Sequence, residues 1–181
     1  QKPRRVPSIA VLPFVNMSGD PDQEFFADGL TEDIITELSR FHDLLVISRN
    51  AVFVHKGKPV TARGIAREFG VDYVVEGSVR KATDRVRVTV QLIDGETETH
   101  IWAERYDRKL EDIFAIQDEV TAAIVGTLRG RVEAATHDRA KKKPTGNMAA
   151  YEYVLAGKVM HHRSERVANE EAMRMLEHAI A

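Results

Sequence analysis

Apolar residues change their period several times along this chain, and each change marks an element. Residues 8–15 open with a continuous apolar run, Ile9-Ala10-Val11-Leu12, flanked by Phe14 and Val15. A run without polar alternation reads as a strand covered on both faces, with Pro13 near its end. The polar stretch Asn16 to Pro21 follows, rich in residues that tolerate tight turns. Phe26, Leu30, Ile34 and Leu38 then recur every four residues, with Ile35 beside them, which predicts a helix with one apolar face. A strand feeding an amphipathic helix is half of a βαβ unit, and the loop between them is where an α/β sheet would place a ligand.

His42-Asp43 closes that helix, and Leu44 to Ser48 predicts a second buried strand with Asn50 to Val54 as its candidate extension. Thr61 is placed to cap a short helix over 62–69, and Gly70 stands where a left-handed C-cap belongs. Three strand patterns come next, at 72–80, 85–93 and 99–106. The middle one alternates cleanly: Val86, Val88, Val90 and Leu92 against Arg85, Arg87, Thr89 and Gln91. Its connectors are short and the second holds Asp94-Gly95, so an antiparallel meander is expected. Ile113, Ile116, Val120, Ile124 and Leu128 predict a long helix reaching about Arg139, with Glu111 and Asp112 in its first turn. The fold class is α/β (α+β): a mixed sheet of about five strands, parallel early and antiparallel late, packed with helices.

Residues 1–7 read as a linker and residues 8–140 as the α/β domain. Lys141-Lys142-Lys143-Pro144-Thr145-Gly146-Asn147 is a composition break, so 141–147 is a second linker. Residues 148–181 read as a helix pair, in which Ala172, Leu176 and Ala179 have the spacing of a tetratricopeptide repeat's second helix. The chain lacks an initiating Met and stops within a helix-like pattern, which we read as a segment of a longer protein.

With 181 residues and 43% hydrophobic composition, the chain can bury a real core. A balance of 26 basic and 28 acidic residues gives no global pull toward nucleic acid or an anionic membrane. The absence of cysteine removes disulfides, thiol catalysis and thiolate metal sites. No apolar run is long enough to span a membrane, and no signal peptide opens the chain.

Candidate chemistry is sparse. Gly57-Lys58 lacks the upstream glycine of a phosphate loop and is followed by Pro59, and no dinucleotide fingerprint occurs. His161-His162 are adjacent, so on a helix they diverge. No spacing assembles a nucleophile, base and orienting group. Two candidate sites remain. Asn16, Ser18, Asp20, Asp22 and Glu24 form a loop that could meet a ligand or partner; the plainer reading is a helix entry whose carboxylates oppose the dipole. Arg80, Arg85 and Arg87, with Lys81 beside them, cluster at a hairpin, where a solvated sheet face would look the same. Trp102 and Tyr106 share one strand face, as a partner surface or as packing beneath the long helix. Catalytic, cofactor-binding and metal-ligating residues are each expected to be none.

The phrases SIAVLPF, NMSGDP, QEFFADGLTEDIITELSR, VVEGSVRK and IWAERYDR resemble the TolB-amino-terminal-like domain of bacterial signalling proteins, over roughly residues 8–140. That resemblance implies a domain lying between an amino-terminal output module and carboxy-terminal tetratricopeptide repeats. The output module is commonly a class III adenylate/guanylate cyclase, or a winged-helix DNA-binding domain. It implies no catalytic residues in this segment. The expectation is therefore a non-catalytic regulatory and interaction module of a multidomain protein, most readily a cyclase. A winged-helix regulator is the alternative, and nucleotide or small-molecule binding at the first loop a third. Expected partners are proteins meeting the helical repeats and a second copy in a homodimer, with no nucleic acid bound through this segment. The compartment is cytoplasmic, or periplasmic if a membrane span lies upstream.

Overall fold

A computed structural model describes residues 6–142, and the expected helix pair at 148–181 lies outside the described residues. The chain divides into two compact units, Pro7–Val132 and the remainder. The first holds a mixed six-stranded sheet of order β3-β1-β4-β5-β6, with β2 added alongside β4. Its elements are β1 (Ser8–Val11), β2 (Val15–Asn16), α1 (Asp22–Leu38), β3 (Leu45–Val46), α2 (Arg49–Phe53), α3 (Ala62–Phe69), β4 (Tyr73–Ala82), β5 (Arg85–Asp94) and β6 (His100–Lys109). The helix α4 (Ile113–Lys142) starts in this unit and runs on past Val132, where the second unit takes over.

The parallel part is as the unbroken apolar run required. β1 lies between β3 and β4, pairing parallel with each, and all four of its residues are buried. β4, β5 and β6 form the expected antiparallel meander. The buried alternation of Val86, Val88, Val90 and Leu92 fixes which face of β5 turns inward. Phe26, Leu30, Ile34, Ile35 and Leu38 of α1 are buried, as are Ile116, Val120, Ile124 and Leu128 of α4. Thr61 accepts a hydrogen bond from Gly64 N at 3.0 Å, and Gly70 closes α3 in the left-handed conformation.

Three expectations need correcting. Leu44 to Ser48 does not make a buried strand: β3 has two residues at the sheet edge, and Leu45 is 56% exposed. Nor does 50–54 extend it. Ser48 accepts from Ala51 N and starts the helix α2 there, because a serine hydroxyl satisfies a first-turn donor that a strand would have spent on its neighbour. Ile113 is 37% exposed and Phe114 76%, so the apolar face of α4 begins at Ile116. Asp112 precedes the helix and accepts from Phe114 N and Ala115 N, acting as its cap.

Close backbone approaches explain two glycines. A Cβ on Gly77 would overlap the Phe14 ring, and one on Gly95 would press against Ala66 of α3. Phe14 is held in turn by Thr31 of α1, whose hydroxyl accepts from Phe14 N at 2.9 Å and donates to the Ala27 carbonyl. α1 and α4 meet where Gln117 lies against Gly29 and donates to Asp33. These two helices cover the face of Val75, Gly77 and Val79, while α3 packs against β1 and β4 from the other side.

Candidate functional site

The meander leaves most of its second face uncovered. In β4 this face carries Glu76, Ser78, Arg80 and Ala82; in β5, Arg85, Arg87, Thr89 and Gln91; in β6, Ala103, Arg105, Asp107 and Lys109. Arg80, Arg85, Arg87, Arg105 and Lys109 are exposed. Five cations therefore stand against two carboxylates on one flat surface. Two of the cross-strand pairs are like-charged: Arg80 directly opposes Arg87, and Arg85 opposes Lys109. Such pairs weaken a sheet, and they gather positive potential on its surface.

Asp107 answers part of that charge. Its carboxylate accepts from Arg87 through Nε at 2.7 Å and Nη2 at 3.2 Å, and lies 3.6 Å from Arg105. The Arg87 hydrogen bond holds the Asp107 carboxyl below the usual carboxylate range, and Asp107 raises Arg87 in return. Glu76 moves the other way. Partial burial pushes its carboxyl up, His100 opposes that shift and Glu98 adds to it.

The loop before α1 is organised differently. Asn16 donates to the Asp20 carbonyl at 2.8 Å and accepts from Ser18 N at 3.0 Å. Ser18 Oγ accepts from Lys81 N at 2.8 Å, and the Lys81 ammonium reaches Asp20 at 3.2 Å. Asp20 also accepts from Asp22 N; that bond first, and Lys81 next, lower its pKa. Glu24 pairs with Lys56 at 3.1 Å. Gln23, next to this turn, is buried with its Oε1 unpartnered among the described residues. Among the described residues, no group of three or more histidines or carboxylates could hold a metal ion.

The structure thus brings Arg80, Arg85 and Arg87 together and joins Asn16, Ser18 and Asp20 in one turn. It separates Lys81 from the arginines, since alternation sends Lys81 toward the loop. It separates Trp102 and Tyr106 from them as well, because these oppose the buried Leu92 and Val88 on the helix-covered face. Tyr106 is half-buried there; burial raises its hydroxyl pKa and Thr127 of α4 is its hydrogen-bond partner. Glu76, Arg105 and Asp107 join the basic face without having been singled out in the sequence. The period-two pattern that sends Trp102 and Tyr106 inward would have placed Arg105 and Asp107 outward.

Comparison with known proteins places this architecture. The profile of the HilA/YgeH-like transcriptional regulator second-domain family matches residues 5–123. The chain belongs to that family. It is also 52% identical, over 170 residues, to a Rhizobium meliloti protein named "Putative adenylate cyclase 3"; the match takes in 94% of this chain and 29% of that protein. The chain therefore spans less than a third of that relative. Lipoprotein GNA1162 from Neisseria meningitidis shares the fold at 20% identity with a TM-score of 0.50, over 67% of this chain and 96% of that one. TolB from Acinetobacter baumannii matches at 24% identity with a TM-score of 0.47, over 71% of this chain and 29% of TolB. No helix among the described residues is long and apolar enough to cross a membrane.

Proposed function

We propose that this chain is a non-catalytic regulatory and interaction module of a larger signalling protein, and that the protein is an adenylate/guanylate cyclase whose catalytic domain lies outside this segment. The observation that carries the reading is the 52% identity, nearly end to end, to under a third of a protein named as such a cyclase. The module works by binding: Arg80, Arg85, Arg87 and Arg105 offer an exposed cationic sheet face suited to an acidic protein segment. A partner seated there changes the output only if it has different affinities for two states of the full protein. The carboxy-terminal residues 148–181 would extend the partner surface as the start of a repeat array, with residues 141–147 as linker. The module works in the cytoplasm, or in the periplasm if a span precedes it.

The test is cyclic nucleotide formation from ATP and GTP by the full-length protein, by this chain alone, and by the full-length Arg80→Glu/Arg87→Glu variant. Activity confined to full-length protein, and altered by the double reversal while substrate KM holds, is the expected result. Cyclic nucleotide formation by the 181-residue chain itself would overturn the non-catalytic reading.

The family match favours a second reading, a sensor region of a transcriptional regulator with a winged-helix output. Full-length protein that makes no cyclic nucleotide and retards promoter DNA would select it. Ligand binding by the Asn16–Glu24 loop is a third reading. The side chains of Asn16, Ser18, Asp20 and Glu24 already bind the chain's own groups, which leaves the Asp22 carboxylate as the loop group open to a ligand among the described residues. A thermal shift with millimolar ATP, GTP or cyclic nucleotide would support it by mass action.

A further inference from the structure

β6 ends the sheet. Among the described residues it pairs with β5 alone, so one side of a ten-residue strand has no strand beside it. Leu110 N donates to the Asp84 carbonyl, which fixes the phase of the β5–β6 ladder. Even-numbered residues of β6 direct their backbone groups to β5, and Ala103, Arg105, Asp107 and Lys109 direct theirs outward. There the Arg105 amide donates to the adjacent Glu104 carboxylate at 3.0 Å and the Asp107 carbonyl accepts from the adjacent Arg108 guanidinium at 2.9 Å, side-chain contacts that an incoming strand would replace. A free edge of this length invites another strand. Charge alone does not close it, because the strand mixes both signs: Glu104, Arg105, Asp107, Arg108 and Lys109.

We propose that β6 pairs antiparallel with β6 of a second copy of this chain, about a two-fold axis at Tyr106. Directly opposed residues in an antiparallel ladder share a face, so only registers that pair odd with odd and even with even are allowed. Centring on Glu104 opposes two carboxylates, and centring on Arg105 opposes two guanidinium groups. Centring on Tyr106 opposes Arg105 with the partner copy's Asp107 on the open face and Glu104 with its Arg108 on the helix side. By symmetry each pair occurs twice. The four outward-facing residues then fall opposite one another, Ala103 with Lys109 and Arg105 with Asp107, and each such pair exchanges two backbone hydrogen bonds. The two tyrosines meet at a position without backbone hydrogen bonds, where side chains approach most closely. The same pairing joins the two basic sheet faces into one continuous surface. This inference stands apart from the identity of the output domain.

The 181-residue chain has no cysteine, so single introduced cysteines report the register without background. In the proposed register the Cα atoms at position 106 are roughly 4.5 Å apart, within the range a disulfide spans. Those at position 104 are roughly 14 Å apart, four residues offset along the strand. Under mild oxidation Tyr106→Cys should form a covalent dimer at least tenfold faster than Glu104→Cys or Arg105→Cys. Sedimentation of the unmodified chain should show a concentration-dependent dimer. Ala103→Pro removes only an outward-pointing donor and should abolish the dimer while circular dichroism stays unchanged. Glu104→Arg, facing Arg108 of the other copy, should raise the Kd about tenfold. A monomer at about 100 µM, a dimer indifferent to Ala103→Pro, or faster crosslinking at 104 or 105 would each overturn the proposal.

Discussion

The loop before α1 and the open face of the meander are both polar, both near β4, and differ in how their polarity is used. In the loop, Asn16, Ser18, Asp20 and Lys81 satisfy one another through short hydrogen bonds, three of them involving backbone groups. Polar groups matched in this way specify one backbone path, and losing a member leaves its partner unpaired. On the open face, two pairs of like charges stand directly across from one another and one carboxylate, Asp107, serves two arginines. Beyond the Arg87–Asp107 pair, that arrangement leaves most of the positive charge unanswered. The difference separates residues that hold the fold from residues available to a partner, and it predicts opposite responses to mutation.

The largest effect should come from beneath the loop. Gly77→Leu drives a side chain into the Phe14 ring, which Thr31 pins to α1. Overpacking with this little room to yield should cost about 3 kcal/mol, read as a lowered midpoint in urea unfolding. Ser18→Ala removes the acceptor of Lys81 N and should cost about 1 kcal/mol. Across the sheet, Arg80→Thr relieves the repulsion with Arg87 and places a β-branched residue in a strand. It should be neutral or stabilise by up to about 0.5 kcal/mol while weakening any acidic partner. If Arg80→Thr destabilised as much as Ser18→Ala, the distinction between a closed loop and an open face would fail.

How much of this could be read from the chain depended on whether local pattern decided the outcome. The β5 alternation fixed the sheet's buried face, and the four-residue period of α1 fixed the helix, because each is a local rule enforced by burial. Thr61 and Gly70 were legible for the same reason: caps act within a few residues. The stretch from Leu44 to Val54 was not, since its apolar residues suit strand and helix alike, and the Ser48 cap and the edge position decide between them. The candidate site was legible as a grouping only for Arg80, Arg85 and Arg87. Arg80, Lys81, Arg85 and Arg87 look like one cluster in sequence. Strand alternation and the approach of the Ser18 turn divide Lys81 from the rest, and only the β5–β6 register brings Asp107 to Arg87.

The smallest effect concerns pH and distinguishes the two regions once more. Asp20 in the loop is held below its ordinary range by the Asp22 backbone and by Lys81. The folded chain binds its proton less tightly than the unfolded chain does. Its contribution is present above the unfolded carboxylate value and is lost as pH falls through the folded one. Glu76 on the open face is raised, chiefly by desolvation, so the sign reverses. The folded chain binds that proton more tightly, and the associated stability is full below the unfolded value and lost as pH rises through the raised folded value. At neutral pH the ionised Glu76 therefore carries a cost that a neutral isostere does not. Glu76→Gln should stabilise the chain by about 0.5 kcal/mol at pH 7 and should give no gain at pH 3.5, measured as urea midpoints across that range. Asp20→Asn should show the reverse trend, destabilising at pH 7 and converging on the unmodified chain in acid. If both variants changed stability equally at every pH, the lowered loop carboxylate and the raised sheet carboxylate could not differ as described. If they diverge, the loop's charge belongs to the fold, and the sheet face carries a carboxylate whose ionised form costs the fold stability.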